Sequence, residues 1–469
     1  MTKEIKSFDN ETIAAIATAQ GDGGIAVVRI SGERTLDIIK AIFSKRENSP
    51  QPLEMKSHHM YHGHILDSES SKIVDEVLCV QMKSPKSYTG EDMAEIHSHG
   101  GHLVPKKILD ILFKSGARPA NPGEFTLRAY LNGKMDLTQA EAVTDIVNAQ
   151  TEEGLKQAEL QLEGALSDKI SQYKDTLADI LAEIEAQVDF PEEDIDSITK
   201  DRLIDSTNEL IEKIGILLNT YEEGRIIKYG IATTILGKPN VGKSSLLNQL
   251  IRKDRAIVSP QPGTTRDFIE ENIDIRGIAL KLTDTAGIRS TTDEIESLGV
   301  ELAKKKALEA ELIIAVIDSS NSLDVDDLEV LERIKDSKAV IALNKADINC
   351  KIIEEDLTTY VPQNRITRTS AKLGTGIEEL KDNIRELLIQ TKRLSESNEI
   401  ILSEQRHKLA LERCTQSLKS FLEAILTGES PEFLALDLRL ALDSLGEITG
   451  EVTTEDILGR IFSKFCIGK

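Results

Sequence analysis

Apolar and polar positions alternate along the chain in three textures. Up to about residue 130 the apolar positions come in short runs. Gly24 to Ile30 predicts a strand, Ile73 to Met82 a second and Met93 to His97 a third. Leu103 to Lys114 instead has helical spacing, and Gly and Pro punctuate the intervals at Gly21 to Gly24, Gly100-Gly101 and Asn121-Pro122-Gly123. From 135 to 188 Gly and Pro almost vanish. Apolar residues there recur every three or four positions, which predicts long amphipathic helices broken at Pro191. Helical pattern resumes from Arg202 to Tyr221, and Gly224 is expected to end it.

The third texture runs from 229 to 391. Apolar runs at Ile231 to Leu236, Ala279 to Thr283 and Ala339 to Leu343 alternate with helical stretches such as Ser245 to Ile251, the signature of a mainly parallel sheet. Beyond it, Glu404 to Leu426 and Phe433 to Leu445 are again helical, and Thr453 is expected to open a last amphipathic helix with Asp456 as its cap partner. The predicted fold class is multidomain α+β and α/β. An α+β domain covers 1–134, a helical domain is built from 135–228 and 392–469, and an α/β domain over 229–391 is inserted into it. Short linkers near 226–229 and 392–400 would let the insert move.

Composition narrows the function classes. The chain has 469 residues, 40% of them hydrophobic and 29% charged, which suits several soluble domains with proper cores. No apolar stretch approaches the ~18–20 residues of a membrane span, and the charged start lacks the apolar segment of a secretory signal. Four scattered cysteines, Cys79, Cys350, Cys414 and Cys466, read as reduced thiols of a cytoplasmic protein rather than a disulfide frame. A net charge of −23 opposes non-specific nucleic-acid binding, so RNA contact would need a local basic patch or a partner protein. Lys304-Lys305-Lys306 reads as a solvated helix face rather than such a patch.

Chemistry enters at Gly237-Lys238-Pro239-Asn240-Val241-Gly242-Lys243-Ser244, a phosphate-binding loop between a strand and a helix. Its backbone N–H groups and the helix N-terminus suit phosphate oxygens; Lys243 can reach the β- and γ-phosphates and Ser244 can ligate Mg²⁺. Val241, Gly242 and Ser245 complete the loop. Asn344-Lys345-Ala346-Asp347 closes a strand and reads guanine. The Asp347 carboxylate can accept from N1–H and N2–H₂, whereas adenine would leave it unpaired at a cost of about 1–3 kcal/mol. Ser370-Ala371-Lys372 matches the loop backing the base. Asp284-Thr285-Ala286-Gly287 follows the strand Ala279 to Thr283; Asp284 would hold the Mg²⁺ water shell and the Gly287 N–H would meet the γ-phosphate. Thr264-Thr265 lies where a first switch belongs. These five elements fall in order over about 135 residues and identify a GTP-hydrolysing domain of Ras-like type.

Hydrolysis needs positive charge at the transition state and an oriented water. Ile288 stands where Ras-like switches carry the water-orienting Gln, and Arg266 and Arg289 read equally well as surface ion-pair partners or arginine fingers. Asn240 can instead bind a monovalent cation beside the phosphates, with carbonyls of Ser259 to Thr264 completing a cage for K⁺. Glu296 can reach back to the water, although its spacing equally suits a helix-surface acid.

With these motifs the chain resembles the tRNA-modification GTPase MnmE (TrmE) family over essentially its whole length. The most specific match is Phe465-Cys466-Ile467-Gly468-Lys469. Others are Asp189-Phe190-Pro191-Glu192-Glu193, Asn121-Pro122-Gly123-Glu124-Phe125-Thr126, Leu131-Asn132-Gly133-Lys134, Gly446-Glu447-Ile448-Thr449-Gly450-Glu451 and Asp284-Thr285-Ala286-Gly287-Ile288-Arg289. The resemblance implies a K⁺ site at Asn240, Ser259, Gln261 and Thr264, Mg²⁺ at Ser244 and Thr265, and a catalytic acid at Glu296. It implies an N-terminal domain that dimerises and binds a tetrahydrofolate derivative (5,10-methylene- or 5-formyl-) through Arg29, Glu95, Lys134 and Lys469. It also implies a homodimer, a heterotetramer with the FAD-containing partner MnmG, and modification of wobble-uridine carbon-5 in certain tRNAs. Cys466 is either a nucleophile or a tail residue, with only Lys464 and Lys469 nearby to lower its pKa.

Seven of the eight histidines fall within 58–102, and His97-x-His99 with His102 allows a metal site or a pterin-pocket rim. Two other functional classes stay open: a ribosome-assembly GTPase docking RNA, and a folate-binding regulator whose nucleotide domain only senses GTP. The acidic chain offers no basic RNA-binding appendage for the former.

Overall fold

The computed structural model describes residues 11–19, 21–45, 55–67, 70, 72–189, 197–253, 271–283, 310–389 and 399–468. They form two compact units, one up to Thr144 together with Asp443 onward, the other Asp145–Leu442.

The first unit is built on a seven-stranded sheet. Its strands are β1 (Ile13–Ile16), β2 (Ile25–Ser31), β3 (Phe43–Ser44), β4 (Met60–Leu66), β5 (Ile73–Met82), β6 (Met93–His99) and β7 (Arg118–Pro119), in the order β3-β4-β5-β6-β2-β1-β7. Helices α1 (Thr35–Ile42) and α2 (Leu103–Lys114) supply Ile38, Ile39, Ile42, Ile108, Ile111 and Leu112 to a core shared with Val28, Ile30, Val77, Cys79 and Ile96. Period-two alternation sends Arg29, Glu95 and His97 to the opposite face of that sheet. Arg29 and Glu95 are register partners on the antiparallel pair β2–β6. A second cluster joins Leu127 of α3 (Glu124–Leu131) and Leu137 and Ala140 of α4 (Leu137–Asn148) to Leu458, Ile461, Phe462 and Phe465 near the C-terminus.

The second unit combines long helices with a six-stranded sheet. Helices α5 (Glu152–Leu162), α6 (Ala165–Asp189), α7 (Ser197–Leu218) and α8 (Tyr221–Tyr229) precede the sheet. It contains β8 (Ile231–Leu236), β9 (Glu271–Ile275), β10 (Ile278–Thr283), β11 (Leu312–Asp318), β12 (Ala339–Asn344) and β13 (Ile366–Arg368), ordered β13-β12-β11-β8-β10-β9. All pairs are parallel except β9 with β10. Every residue of β11 and β12 is buried, as a central strand covered on both faces requires. Helices α9 (Lys243–Lys253) and α11 (Ile377–Leu388) cover one face with Leu246, Leu250, Leu380 and Ile384. α10 (Val325–Ile334) covers the other with Leu331 and Ile334. The chain then returns through α12 (Gln405–Thr427) and α13 (Pro431–Thr449), and α14 (Glu455–Phe462) follows in the first unit.

Three local expectations are corrected. Gly224 does not end a helix; it lies inside α8, where a Cβ would come within 2.2 Å of the Leu402 carbonyl oxygen, so its role is close approach. Residues 226–229 are likewise helical rather than a linker, and Gly230 leads straight into β8. The cap of the last helix is Thr454, whose hydroxyl accepts from the Ile457 N–H at 3.4 Å, one residue beyond the expected Thr453. Pro191 and the segment 390–398 lie outside the described residues.

Candidate functional site

The phosphate loop leaves the C-terminal end of β8, the end at which open parallel sheets present ligand sites. Asn240 adopts φ 62° and Gly242 φ 102°, and a Cβ on Gly242 would lie 2.3 Å from Asn344 Nδ2. Only glycine therefore meets both the backbone and the space requirement there. α9 starts at Lys243, whose ammonium donates to the carbonyls of Gly237 at 2.7 Å and Lys238 at 2.9 Å. Burial pushes the Lys243 pKa down. Asn240 is exposed on the loop and Ser244 and Ser245 are exposed in the first turn of α9, whereas Val241 is buried in the sheet core.

Asn344 ties this loop to the N-K-x-D segment and to Ser370–Lys372. Its Nδ2 donates to the Val241 carbonyl at 2.8 Å and its Oδ1 accepts from the Ala371 N–H at 2.9 Å, with the side chain fully enclosed. Phosphate loop, Asn344–Asp347 and Ser370–Lys372 thus form one surface. Ser370 Oγ donates to Asp347 Oδ1 at 2.6 Å. That hydrogen bond, ahead of the Lys372 and Lys345 charges, holds the Asp347 carboxyl below the ordinary range and keeps it an acceptor. Gln249 on α9 donates to the Ala371 carbonyl at 2.9 Å.

Two pairings were not legible as function in the sequence. Lys345 Nζ donates to Asp318 Oδ2 at 2.7 Å. Lys238 Nζ donates at 2.6 Å to both Asp324 and Asp327, the capping-box residues of α10, and these bonds raise its pKa. The available signal was a lone acid, Asp318, closing the wholly apolar run Leu312 to Ile317.

The first unit gathers a polar cluster on the other face of its sheet. Glu95 Oε1 accepts from Arg29 Nε at 3.1 Å and Nη2 at 2.8 Å. The guanidinium also donates to the Gly468 carbonyl at 3.2 Å and stands 5.5 Å from the Tyr88 ring and 5.7 Å from that of Phe125. The tail carrying Cys466 is thereby brought to Arg29: Gly468 runs so close to β1 that a Cβ would lie 2.4 Å from the Ile16 carbonyl. Cys466 itself is exposed. Lys134 Nζ donates to the Pro85 carbonyl at 3.1 Å, and Asn132 Nδ2 to that of Thr89 at 2.7 Å, which fastens the loop bearing Tyr88. Beneath it, Glu124 is enclosed; burial opposes its charge, but bonds from Arg118, the Asn121 N–H and Arg128 outweigh this and lower its pKa. Three of the histidines pair with acids: His62 with Glu76 at 2.6 Å, His99 with Asp75 at 2.8 Å and His97 with Glu95 at 3.5 Å. Among the described residues, no three His, Cys, Asp or Glu side chains are grouped to hold a metal.

Ser259, Gln261, Thr264, Thr265, Arg266, Asp284, Thr285, Ala286, Gly287, Arg289, Glu296, Lys304 to Lys306 and Lys469 lie outside the described residues.

A phosphate loop at the end of a parallel strand, stapled to an N-K-x-D loop, is the motif set of a P-loop GTPase domain. Comparison with known proteins gives the rest. The family "GTP-binding protein TrmE N-terminus" matches residues 12–134, and "MnmE helical domain" matches 137–466. The tRNA modification GTPase MnmE of Clostridioides difficile is 46% identical over 462 residues, covering 98% of this chain and 100% of that protein. That of Alkaliphilus metalliredigens is 44% identical with the same coverage. The chain belongs to the tRNA modification GTPase MnmE family. Among solved structures, the G domain of the Thermotoga maritima FeoB iron transporter is 29% identical, covering 34% of this chain and 98% of that one, with a TM-score of 0.26. Aquifex aeolicus Era bound to GDP and aluminium fluoride is 26% identical, covering 40% and 66%, with a TM-score of 0.27. The assignment rests on the sequence relatives and not on these likenesses. Among the described residues, no helix is long and apolar enough to cross a membrane.

Proposed function

We propose that this GTPase hydrolyses GTP in a K⁺-dependent manner within a cytoplasmic complex that modifies carbon-5 of the wobble uridine of certain tRNAs. The observation that carries the reading is the Asn344 staple, which joins the phosphate loop to a carboxylate held ready for guanine. Phosphate would be held by the loop N–H groups and Lys243, and the base by Asp347 against Ser370-Ala371-Lys372. The exposed Ser244 hydroxyl suits Mg²⁺ together with Thr265, with Asp284 on the ion's water shell and the Gly287 N–H on the γ-phosphate, and the exposed Asn240 suits K⁺ with Ser259, Gln261 and Thr264. When bound, these cations would supply positive charge to the transferring phosphoryl group, and Glu296 would orient the attacking water.

In the first unit, Arg29 and Lys134, with Lys469, suit the carboxylates of a folate, and Glu95 suits the amino-pyrimidinone edge of its pterin. The acidic chain fits tRNA contact made mainly through a partner, an FAD protein of MnmG type in a heterotetramer with a homodimer of this chain. Cys466 is proposed to act at the same one-carbon site. The domain reading stays with it: a folate-binding and dimerising domain over 1–134, a helical domain over 135–228 and 392–469, and the GTPase domain over 229–391.

The test is steady-state GTP hydrolysis in KCl against NaCl at equal ionic strength. K⁺ is expected to stimulate turnover at least tenfold, and Asn240→Ala to lose most of that stimulation, about what one preorganised charge at a phosphoryl transition state contributes. Equal slow rates in both salts would remove the cation-assisted mechanism.

A further inference from the structure

We infer that Asp318 is a positioning residue for the guanine site, acting through Lys345; this rests on the reading that Asp347 binds guanine. Asp318 closes β11 beside Asn344 on β12, its register partner. The Ser319 N–H donates to the Asn344 carbonyl at 2.9 Å, so the two strand ends are locked. Only 5% of the Asp318 side chain is exposed. Four donors reach its carboxylate. Oδ1 accepts from Ser320 N–H at 3.0 Å and Oγ at 2.6 Å; Oδ2 accepts from Asn321 Nδ2 at 3.1 Å and Lys345 Nζ at 2.7 Å. Three neutral donors fix the carboxylate in place, so the ammonium is the partner that adapts to it.

Lys345 is unusual in its own right. Its φ is 63°, a left-handed conformation that a non-glycine residue adopts at a cost, and such strain persists only where surroundings over-determine it. The surroundings here are the ion pair at one end of the side chain and the Ala346 N–H bonded to the Thr369 carbonyl at 3.0 Å on the other. A free lysine samples many rotamers, and a binding partner must freeze them. Asp318 freezes them beforehand. The four-carbon stem, next to the guanine-reading Asp347, is then ordered before a nucleotide arrives, and affinity rises because the ordering cost is already met. The freedom of one lysine side chain sets the expected gain at about tenfold.

The experiment is a double-mutant cycle on the full-length protein, read by titration of N-methylanthraniloyl-GDP. Asp318→Asn preserves shape and the Ser320 bonds while removing the charge. It is expected to weaken binding about tenfold in the native background and less than twofold in Lys345→Met, because the effect passes through the lysine. In turnover the loss falls on KM rather than kcat. Equal losses in both backgrounds, or no loss in the first, overturn the inference. Asp347→Asn separates the premise: its amide offers a donor to a 2-oxo group, so preference should pass from GDP to XDP. An Asp347→Asn protein that still prefers GDP overturns the guanine reading itself.

Discussion

His99 shows what a single side chain contributes here. Its ring is exposed at the end of β6, with Nδ1 2.8 Å from Asp75 Oδ1, and its backbone N–H donates to the other Asp75 oxygen at 2.8 Å. The hydrogen bond to Asp75, reinforced by that carboxylate's charge, raises the His99 pKa above the ordinary histidine value. Its contribution to stability is therefore fully present below about pH 6.5 and lost as pH rises through the raised value. An NMR titration should place the His99 midpoint above those of solvated histidines, and Asp75→Asn should bring it down; an unmoved midpoint would exclude the pairing as cause. The H-x-H pattern by itself fitted a metal site as well. What it could not show was that His97 meets Glu95 of its own strand while His99 meets Asp75 of the neighbouring strand β5. The same limit hid Asp318: position 318 is readable as an acid ending an apolar run, but Lys345 is adjacent only because β11 and β12 run parallel in that register.

At the scale of elements, strands buried on both faces were the easiest to read: Ala339 to Leu343 is a continuous apolar run, and Ile231 to Leu236 is broken only by Thr233 and Thr234. β4 was not seen. Its outward positions carry Met60, His62 and His64 and its middle is Gly63, so alternation is too weak to stand out. α8 was misread at Gly224 because a helix-internal glycine and a terminating one look alike without the partner. The partner is the returning segment at Leu402, whose N–H also donates to Thr220 Oγ1 at 2.9 Å. Gly224→Ala measures which role matters. At an exposed helix position alanine would stabilise by about 1 kcal/mol. Against the Leu402 carbonyl, at 2.2 Å from the new Cβ, it should instead destabilise by about 1–3 kcal/mol, read as a fall in the urea midpoint. A rise in the midpoint would return Gly224 to the status of a permissive break.

For the molecule as a whole, an inserted nucleotide domain was legible from the change of texture at 229 and from ordered motifs. How its two chain crossings are fastened was not. The outgoing chain leaves through Lys228 and Tyr229; the returning chain comes back through Glu399 to Glu404. Lys228 Nζ lies 2.5 Å from both Asp145 and Glu404, Tyr229 donates its hydroxyl to Glu404, and Gln157 Oε1 accepts from the Ile401 N–H at 3.2 Å. Burial opposes the Lys228 charge, but the Asp145 and Glu404 carboxylates outweigh it and raise its pKa. Its stabilising effect therefore holds across the neutral range and is lost only in alkali, as pH climbs through the raised value. Lys228→Met leaves two mostly buried carboxylates without their shared ammonium. Since about 15% of each side chain stays exposed, the cost is set below that of a fully buried pair, at about 2–3 kcal/mol. The triple variant Lys228→Met, Asp145→Asn, Glu404→Gln removes the charge problem while keeping the shape, and should recover most of the loss in urea unfolding. If it unfolds no later than the single variant, the lysine stem's packing holds the crossing together. If it recovers, charge neutralisation at this neck is what joins the outgoing and returning strands of the insert into one body.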